Sequence, residues 1–161
     1  MKRGAPAPLD DHRARLVAAD LLSRRAWTRA ELTRRLRRRG APPDVTAGVV
    51  TDLVARGYVD DAAFARQWVA TRSARGYGAG RLRVELSVRG VEARVIDTAV
   101  AELDVSDTLG RARALAARRF AALGGGDRRR LASRLYDYLL RRGYAAGLVA
   151  RVVREMLTLI E

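Results

Sequence analysis

The chain has 161 residues and a mass of 17.7 kDa, the size of one domain or of a short array of smaller units. It has no cysteine, and His12 is the only histidine. This excludes disulfides and thiol catalysis, and it leaves too few ligands for the usual zinc sites or for a Ser-His nucleophile. With 32 Lys and Arg residues against 18 Asp and Glu residues, the net charge is +14. We therefore expect no catalytic residue, no metal and no cofactor, but a polyanionic partner.

The strong positive charge favours nucleic acid as that partner, with an anionic membrane second. Lys2 is the only lysine, so the basic residues are nearly all arginine. A genome rich in G and C would produce the same bias, and composition alone leaves both explanations open. No apolar run approaches the roughly 20 residues that span a bilayer, and the first residues, MKRGAP, lack the apolar stretch of a secretory signal. We expect a cytoplasmic protein without a membrane partner.

A pattern of about 50 residues occurs three times along the chain. Each copy has an arginine followed by a glycine, with leucines four and eight residues before the glycine, which is Gly40, Gly90 or Gly143. Upstream of this point, each copy has an apolar residue followed by a polar or acidic pair, at Asp10-Asp11, Asp60-Asp61 and Ser106-Asp107. The third copy is longer between these landmarks, and its three consecutive glycines at 124–126 are interpreted as a loop insertion.

Each copy predicts three helices, because its apolar spacings are helical and no segment alternates as a strand does. In the first copy, Asp10-Asp11 caps the first helix, Thr28 and Glu31 form a capping box for the second, and Pro42-Pro43 opens the third. The second helix of each copy ends at the repeat glycine, which takes positive φ without penalty. The sequence therefore predicts an all-α fold of about nine helices in three tandem repeats, at 1–57, 58–104 and 105–161. We expect an elongated or curved array whose neighbouring repeats share a core.

Four segments carry a family likeness: 18–39 (AADLLSRRAWTRAELTRRLRRR), 57–65 (GYVDDAAFA), 82–91 (LRVELSVRGV) and 135–144 (LYDYLLRRGY). Together they resemble the RecX family, regulatory proteins of the RecA recombinase, over nearly the whole chain. The structural signature combines a turn, a cap and a core position at fixed spacing, in Gly57, Tyr58, Asp60, Asp61 and Phe64, together with the three repeat glycines. One departure is Ala79, which follows Gly78 where the family often has proline.

The resemblance implies a non-enzymatic modulator, mainly an inhibitor, that binds the RecA–DNA filament. It would restrain strand exchange and ATP hydrolysis in homologous recombination, DNA repair and the SOS response. The implied partners are the recombinase filament and single- and double-stranded DNA without sequence preference, and we expect a monomer. An alternative from another class stays open: a stand-alone helix-turn-helix-like DNA-binding protein or transcription regulator, which would bind duplex DNA tightly without a recombinase.

Two arginine clusters are the candidates for nucleic-acid binding. Helix geometry places the first cluster opposite the inward leucines of the first copy, at Arg34, Arg37 and Arg38. The second cluster begins a helix after the glycine run, at Arg128, Arg129 and Arg130. A solvated charged face accounts for the first cluster equally well. Asp60-Asp61 is interpreted as a helix cap and not as a catalytic pair, because the pattern recurs in the other copies.

Charge divides the three copies. Net charge is +7 for residues 1–57, zero for 58–104 and +7 for 105–161. We expect the two basic copies to hold DNA and the neutral middle copy to hold the recombinase, through exposed residues such as Arg81, Arg83 and Glu85. The arginine before each repeat glycine is expected to be structural, with its stem over the core, at Arg39, Arg89 and Arg142.

Overall fold

The computed structural model describes residues 8–124 and 126–158, and within these ranges it contains nine α-helices and no strand. The helices are α1 (Asp11–Arg24), α2 (Arg29–Arg38), α3 (Pro43–Ala55), α4 (Asp61–Ala74), α5 (Ala79–Val88), α6 (Ala93–Ala101), α7 (Val105–Leu123), α8 (Arg128–Arg141) and α9 (Ala146–Thr158). Helices α1–α3 pack against one another, as do α4–α6 and α7–α9. These three sets are the first, second and third units, and the predicted all-α fold of three tandem three-helix repeats is confirmed.

In the first unit, local capping sets the helix boundaries as predicted. Asp10 caps α1 by accepting a hydrogen bond from the Arg13 N–H at 2.8 Å. Thr28 and Glu31 form the capping box at the start of α2, and Pro43 is the first residue of α3. Because each of these bonds lies within four residues of sequence, the pattern of residue types is sufficient to locate them.

The repeat glycines end the second helix of each unit. Their φ values are positive: +92° at Gly40, +81° at Gly90 and +89° at Gly143. The leucines four and eight residues before each glycine are fully buried, at Leu32, Leu36, Leu82, Leu86, Leu135 and Leu139. The predicted register of the second helices is therefore correct in all three units.

Each unit has its own hydrophobic core, so the expectation of a shared core is wrong. Three helices suffice to enclose each cluster, because alanines such as Ala14, Ala18 and Ala65 are fully buried and let the helices approach closely. Val59, just before α4, packs into the core of the first unit, and Leu103 packs against that of the second. The repeat limits at 57/58 and 104/105 stay predictions.

The cap of the first helix of the third unit lies two residues earlier than the sequence pattern indicates. The N-cap of α7 is Asp104, which accepts from the Asp107 N–H at 3.0 Å, and the expected cap Ser106-Asp107 lies inside the first turn. The extra length is also helical: α7 has 19 residues where α1 and α4 have 14, and α8 has 14 where α2 and α5 have 10. The α7–α8 connection, residues 124–127, is four residues long, as are the connections 25–28 and 75–78. The glycine run is therefore not a loop insertion.

Candidate functional site

The second helices of the three units meet end to end. At the first junction, the C-terminus of α5 reaches the N-terminus of α2, where the Thr28 hydroxyl donates to the Arg89 carbonyl at 2.7 Å. At the second junction, the C-terminus of α8 reaches the N-terminus of α5. There the Gly78 N–H donates to the Arg142 carbonyl at 2.8 Å, and the Gly80 N–H donates to the Gly143 carbonyl at 2.9 Å. The junctions thus satisfy backbone groups that helix ends otherwise leave unpaired.

Two repeat glycines allow this close approach. A Cβ at Gly90 would lie 2.4 Å from the Ala30 Cβ, and one at Gly143 would lie 2.2 Å from the Arg81 nitrogen. A Cβ at Gly40 would meet no atom within 4 Å in the described part of the chain. Gly40 therefore ends a helix only, whereas the other two glycines end a helix and join two units.

An acidic side chain of the second unit also crosses the first junction. Asp60 alone caps α4, accepting from the Ala63 N–H at 2.9 Å. The sequence pattern assigns the same role to Asp61, but the Asp61 carboxylate accepts from the Arg29 N–H at the start of α2, at 2.8 Å. Burial raises the pKa of Asp61, and the bond to Arg29 opposes that shift. Asp61 is thus a contact between units and not part of the cap.

The arginine before the repeat glycine is structural where a neighbouring unit exists. Arg89 forms an ion pair with Glu31 and lies 4.0 Å above the Trp68 ring. Arg142 donates to the Arg75 carbonyl at 3.3 Å. The equivalent Arg39 is exposed, so the expectation is wrong for this residue. The reason is geometric, because the C-terminus of α2 takes part in neither junction and no other unit covers it in the described part of the chain.

The carboxylate of Glu85 is enclosed by the second unit. It accepts from Arg72 at 2.6 Å, from Trp68 at 3.0 Å and from Arg81 at 3.0 Å, and only 12% of the side chain is exposed. The Arg72 hydrogen bond, aided by Arg81 and Trp68 and opposed by burial, lowers the pKa of Glu85 to about 2. The expectation that Glu85 is exposed is therefore wrong. Arg81 is half exposed but paired with Glu85.

Arg83, the third candidate contact on α5, is also half exposed and forms an ion pair with Asp97 of α6. Two exposed apolar side chains share this helix with it. Val84 is 57% exposed and Val88 is 75% exposed. The sequence interpretation missed these valines, although the repeat register aligns them with Arg34 and Arg38 of α2. That alignment is the signal that could have found them.

The first arginine cluster has the predicted orientation. Arg34, Arg37 and Arg38 are all exposed on α2, and in the part of the chain that the structure describes none of them has an acidic partner. Arg34 and Arg38 are like charges one turn apart and repel each other, whereas Arg37 and Arg38 lie in the last turn, where the helix dipole favours cations. The cluster is available for a polyanion.

The second arginine cluster lies at the other end of the series of helices. Arg128, Arg129 and Arg130 form the exposed first turn of α8, where Asp127 accepts from the Arg130 N–H at 3.2 Å. The two clusters belong to the first and third units, with α5 joined between α2 and α8. The structure therefore does not bring them into one site, and a ligand touching both must extend along the molecule.

Only some residues of the structural signature are buried. Gly57 has a φ of +74°, and Phe64 is 9% exposed, as a turn and a core position require. Tyr58 is 67% exposed and lies at a groove between α1 and α3. The core position next to the turn is instead Val59, which is 2% exposed.

Comparison with protein families assigns all three units. The family models for the first, second and third three-helix domains of RecX match residues 14–53, 60–100 and 106–153. The chain belongs to the RecX family. The regulatory protein RecX of Thermobifida fusca (strain YX) is 43% identical over 156 residues, which cover 96% of this chain and 84% of that protein. The regulatory protein RecX of Streptomyces coelicolor is 37% identical over 97% of this chain and 84% of its own length.

Solved RecX structures share the fold. A crystal structure of RecX from Lactobacillus salivarius superposes with a TM-score of 0.84 at 19% sequence identity, covering 92% of this chain and 97% of the other. A second crystal structure of a regulatory protein RecX has a TM-score of 0.79 at 20% identity, covering 91% and 78%. At this identity, the likeness establishes the arrangement of helices.

The described residues offer neither a membrane span nor a metal site. None of their helices combines the length and apolar character needed to cross a membrane. No three of their His, Asp and Glu side chains converge in a way that could hold a metal ion.

Proposed function

We propose that this chain is a non-enzymatic modulator, mainly an inhibitor, of the RecA recombinase. It binds the RecA–DNA filament and restrains strand exchange and ATP hydrolysis in recombination, repair and the SOS response. Its relatives are named regulatory proteins. The assignment of RecA as the target comes from the family resemblance described above.

The observation that carries the proposal is that equivalent exposed positions of α2 and α5 hold charged side chains in one helix and apolar side chains in the other. The register that places Arg34 and Arg38 on the outside of α2 places Val84 and Val88 on the outside of α5. Exposed arginines without acidic partners favour phosphates. Adjacent exposed valines favour a protein surface, because they lose their contact with water on association.

This difference divides two tasks along the chain. The arginines of the first and third units hold DNA, and α5 of the neutral second unit meets the recombinase. A neutral apolar surface does not compete for DNA, and salt does not screen it. Arg81 and Arg83 flank the valines and belong to the proposed recombinase surface. Glu85 has too little exposed surface for that role, and its replacement reports on stability.

In this proposal, the chain inhibits the recombinase by occupying the filament. A chain that contacts DNA at both ends and the recombinase in the middle bridges the two components of the filament. It thereby blocks the entry of a partner strand or the addition of further recombinase. This mechanism requires no catalytic group in the regulator.

A pair of matched double variants tests the division. Val84→Ser with Val88→Ser alters the recombinase surface, and Arg34→Ser with Arg38→Ser alters the same register positions in the first unit. Two measurements are made on each protein: inhibition of DNA-dependent ATP hydrolysis by the recombinase, and affinity for a bare labelled oligonucleotide. We expect the valine variant to lose most inhibition while keeping its DNA affinity, and the arginine variant to lose DNA affinity.

Parallel loss of both activities in both variants would contradict the division, because one continuous surface would then serve both partners. Wild-type protein that binds a defined duplex tightly and leaves the recombinase unaffected would instead support the stand-alone DNA-binding alternative. Circular dichroism of each variant checks that the helices are intact.

A further inference from the structure

The second junction contains a cavity of about 360 Å³ with a strongly basic lining. Its walls come from the end of α4, from α7 and from the end of α8. Four arginines line it, and no carboxylate does: Arg75, Arg111, Arg118 and Arg142. Gly76 and Leu115 form part of the wall, and a Cβ at Gly76 would lie 2.6 Å from Leu115 Cδ1, so the turn after α4 is in close contact with α7 here.

The first junction shows how the same fold neutralises such charges. Arg25 and Arg89 are the residues that follow α1 and α5, as Arg75 and Arg142 follow α4 and α8. At the first junction, the single carboxylate of Glu31 forms ion pairs with both Arg25 and Arg89.

At the second junction this carboxylate is missing. The repeat register places Arg81 where the first unit has Glu31, and Arg81 is paired with Glu85 of its own helix. Helix α7 adds Arg111 and Arg118 to the two arginines already present. The second junction therefore gathers more positive charge than the first and lacks the internal anion that balances it there.

The partners of these arginines hold them in place without neutralising them. Arg142 donates to the neutral Arg75 carbonyl at 3.3 Å and lies 4.9 Å from the Tyr77 ring centre. The carboxylate of Asp107 is 3.8 Å from Arg111 and 70% exposed, a weak and solvated pairing. Arg118 is exposed and has no acidic partner within the described ranges.

A buried phenol follows the end of α8. Tyr144 is 5% exposed, and its hydroxyl is the one buried side-chain polar atom without a hydrogen-bond partner among the described residues. Burial raises the pKa of Tyr144, while the charges of Arg111 and Arg142 act to lower it. The hydroxyl thus stays protonated at neutral pH, and Tyr144 lines a different cavity, with Arg81 and Gly143.

We propose that the second junction is a phosphate-binding pocket whose ligands are Arg75, Arg111, Arg118 and Arg142. Guanidinium groups bind phosphate oxygens through paired, charge-assisted hydrogen bonds, and several of them in one cavity suit an anion with more than one charged oxygen. A phosphodiester of nucleic acid and the phosphate chain of a free nucleotide share this chemistry. The proposal rests on the nucleic-acid part of the proposed function and is independent of the recombinase.

The test uses the full chain alone and two variants that each lose two positive charges from the third unit. Arg111→Gln with Arg118→Gln alters the pocket. Arg134→Gln with Arg154→Gln is the matched control, because these exposed arginines lie outside the pocket and have no acidic partner in the described ranges. Arg118→Gln alone serves as a second pocket variant in case the double variant is destabilised.

Two binding measurements separate the two sources of phosphate. Fluorescence anisotropy with a labelled single-stranded oligonucleotide is recorded over a range of salt concentrations, and calorimetric titration is carried out with ADP. If the pocket binds a phosphodiester of nucleic acid, we expect the pocket variant to lose about tenfold in affinity for the oligonucleotide. Its log–log salt slope should fall by about 0.7 for each phosphate that the variant no longer binds. If the pocket instead binds a free nucleotide, the wild-type protein and the control variant should bind ADP, and the pocket variants should not.

Equal behaviour of pocket and control variants in both measurements would overturn the proposal. If the recombinase assay fails but the pocket variants lose phosphate binding, the pocket stands and the regulatory function falls. If inhibition depends on the α5 valines but pocket and control variants bind phosphates equally, the regulatory function stands and the pocket falls.

Discussion

At the scale of single residues, Glu85 organises the second unit around one carboxylate. Three donors from two helices meet it: Arg72 and Trp68 of α4, and Arg81 of α5. These bonds favour the ionised form more than burial opposes it, which lowers the pKa from the ordinary 4.5 to about 2. The carboxylate therefore binds its proton more weakly in the folded chain than in the unfolded chain.

This difference predicts a pH dependence of stability. A lowered acid pKa gives stabilisation that is complete above the unfolded value near 4.5 and is lost as the pH falls toward 2. We expect Glu85→Gln to lose on the order of 2–3 kcal/mol at pH 7 and to depend less on pH between 5 and 3. Urea unfolding followed by circular dichroism at several pH values measures both effects.

Glu155→Gln is the control for this measurement. Arg113 and Arg151 lower the pKa of Glu155 to about 2 as well, but its side chain is 36% exposed. Solvent and salt screen an exposed pair, so this variant should change stability less. Equal losses in the two variants would show that burial of Glu85 adds nothing.

At the scale of elements, the helix ends decide how the units are joined. Gly40, Gly90 and Gly143 have the same left-handed backbone, but only the latter two face another unit. The backbone penalty of a side chain is therefore common to all three positions, and the steric penalty is confined to the junctions.

Alanine substitutions separate these two penalties. Gly40→Ala should lose only the backbone term, about 1 kcal/mol. Gly90→Ala must also displace Ala30, and Gly143→Ala must displace the backbone of Arg81, so both should lower the thermal midpoint further. Thermal unfolding followed by circular dichroism measures the three midpoints. A midpoint as low for Gly40→Ala as for Gly90→Ala would contradict the junction geometry.

The features that the sequence predicted are those formed by near neighbours along the chain. Caps such as Thr28 and helix ends such as Gly90 depend on a few consecutive residues, so residue types alone locate them. The sequence pattern misplaces the cap of α7 because Asp104, Ser106 and Asp107 are all residue types that favour an N-cap, and the backbone conformation decides among them. The burial of Glu85 and the contact of Asp61 with α2 depend on tertiary approach, which spacing does not encode.

At the scale of the whole molecule, the two arginine clusters lie too far apart along the series of helices to act as one site. The first belongs to α2 and the second to α8, with α5 joined between them. Contributions from well-separated sites usually add.

We therefore expect additive salt effects on DNA binding. Replacing Arg34, Arg37 and Arg38 by Ser, or replacing the α8 cluster Arg128, Arg129 and Arg130, should each flatten the log–log salt dependence by roughly 0.7–0.9 for every phosphate left unbound. The combined variant should show the sum of the two changes. Anisotropy titrations from low to moderate salt measure the slopes. An unchanged slope for the α2 variant would identify its arginines as a solvated surface that does not touch DNA.

The end-to-end order of the second helices also makes the two ends of the molecule electrically unequal. Each helix carries partial positive charge at its N-terminus and partial negative charge at its C-terminus. At the two junctions these opposite partial charges meet, so the unpaired ones remain at the start of α8 and at the end of α2. At α8 the field of the helix reinforces Arg128–Arg130, partly offset by Asp127, whereas at α2 it opposes Arg37 and Arg38. The helix fields therefore reduce the difference in positive potential between the two ends, because the α2 end carries five arginines, at 34, 35 and 37–39, and the α8 end carries three.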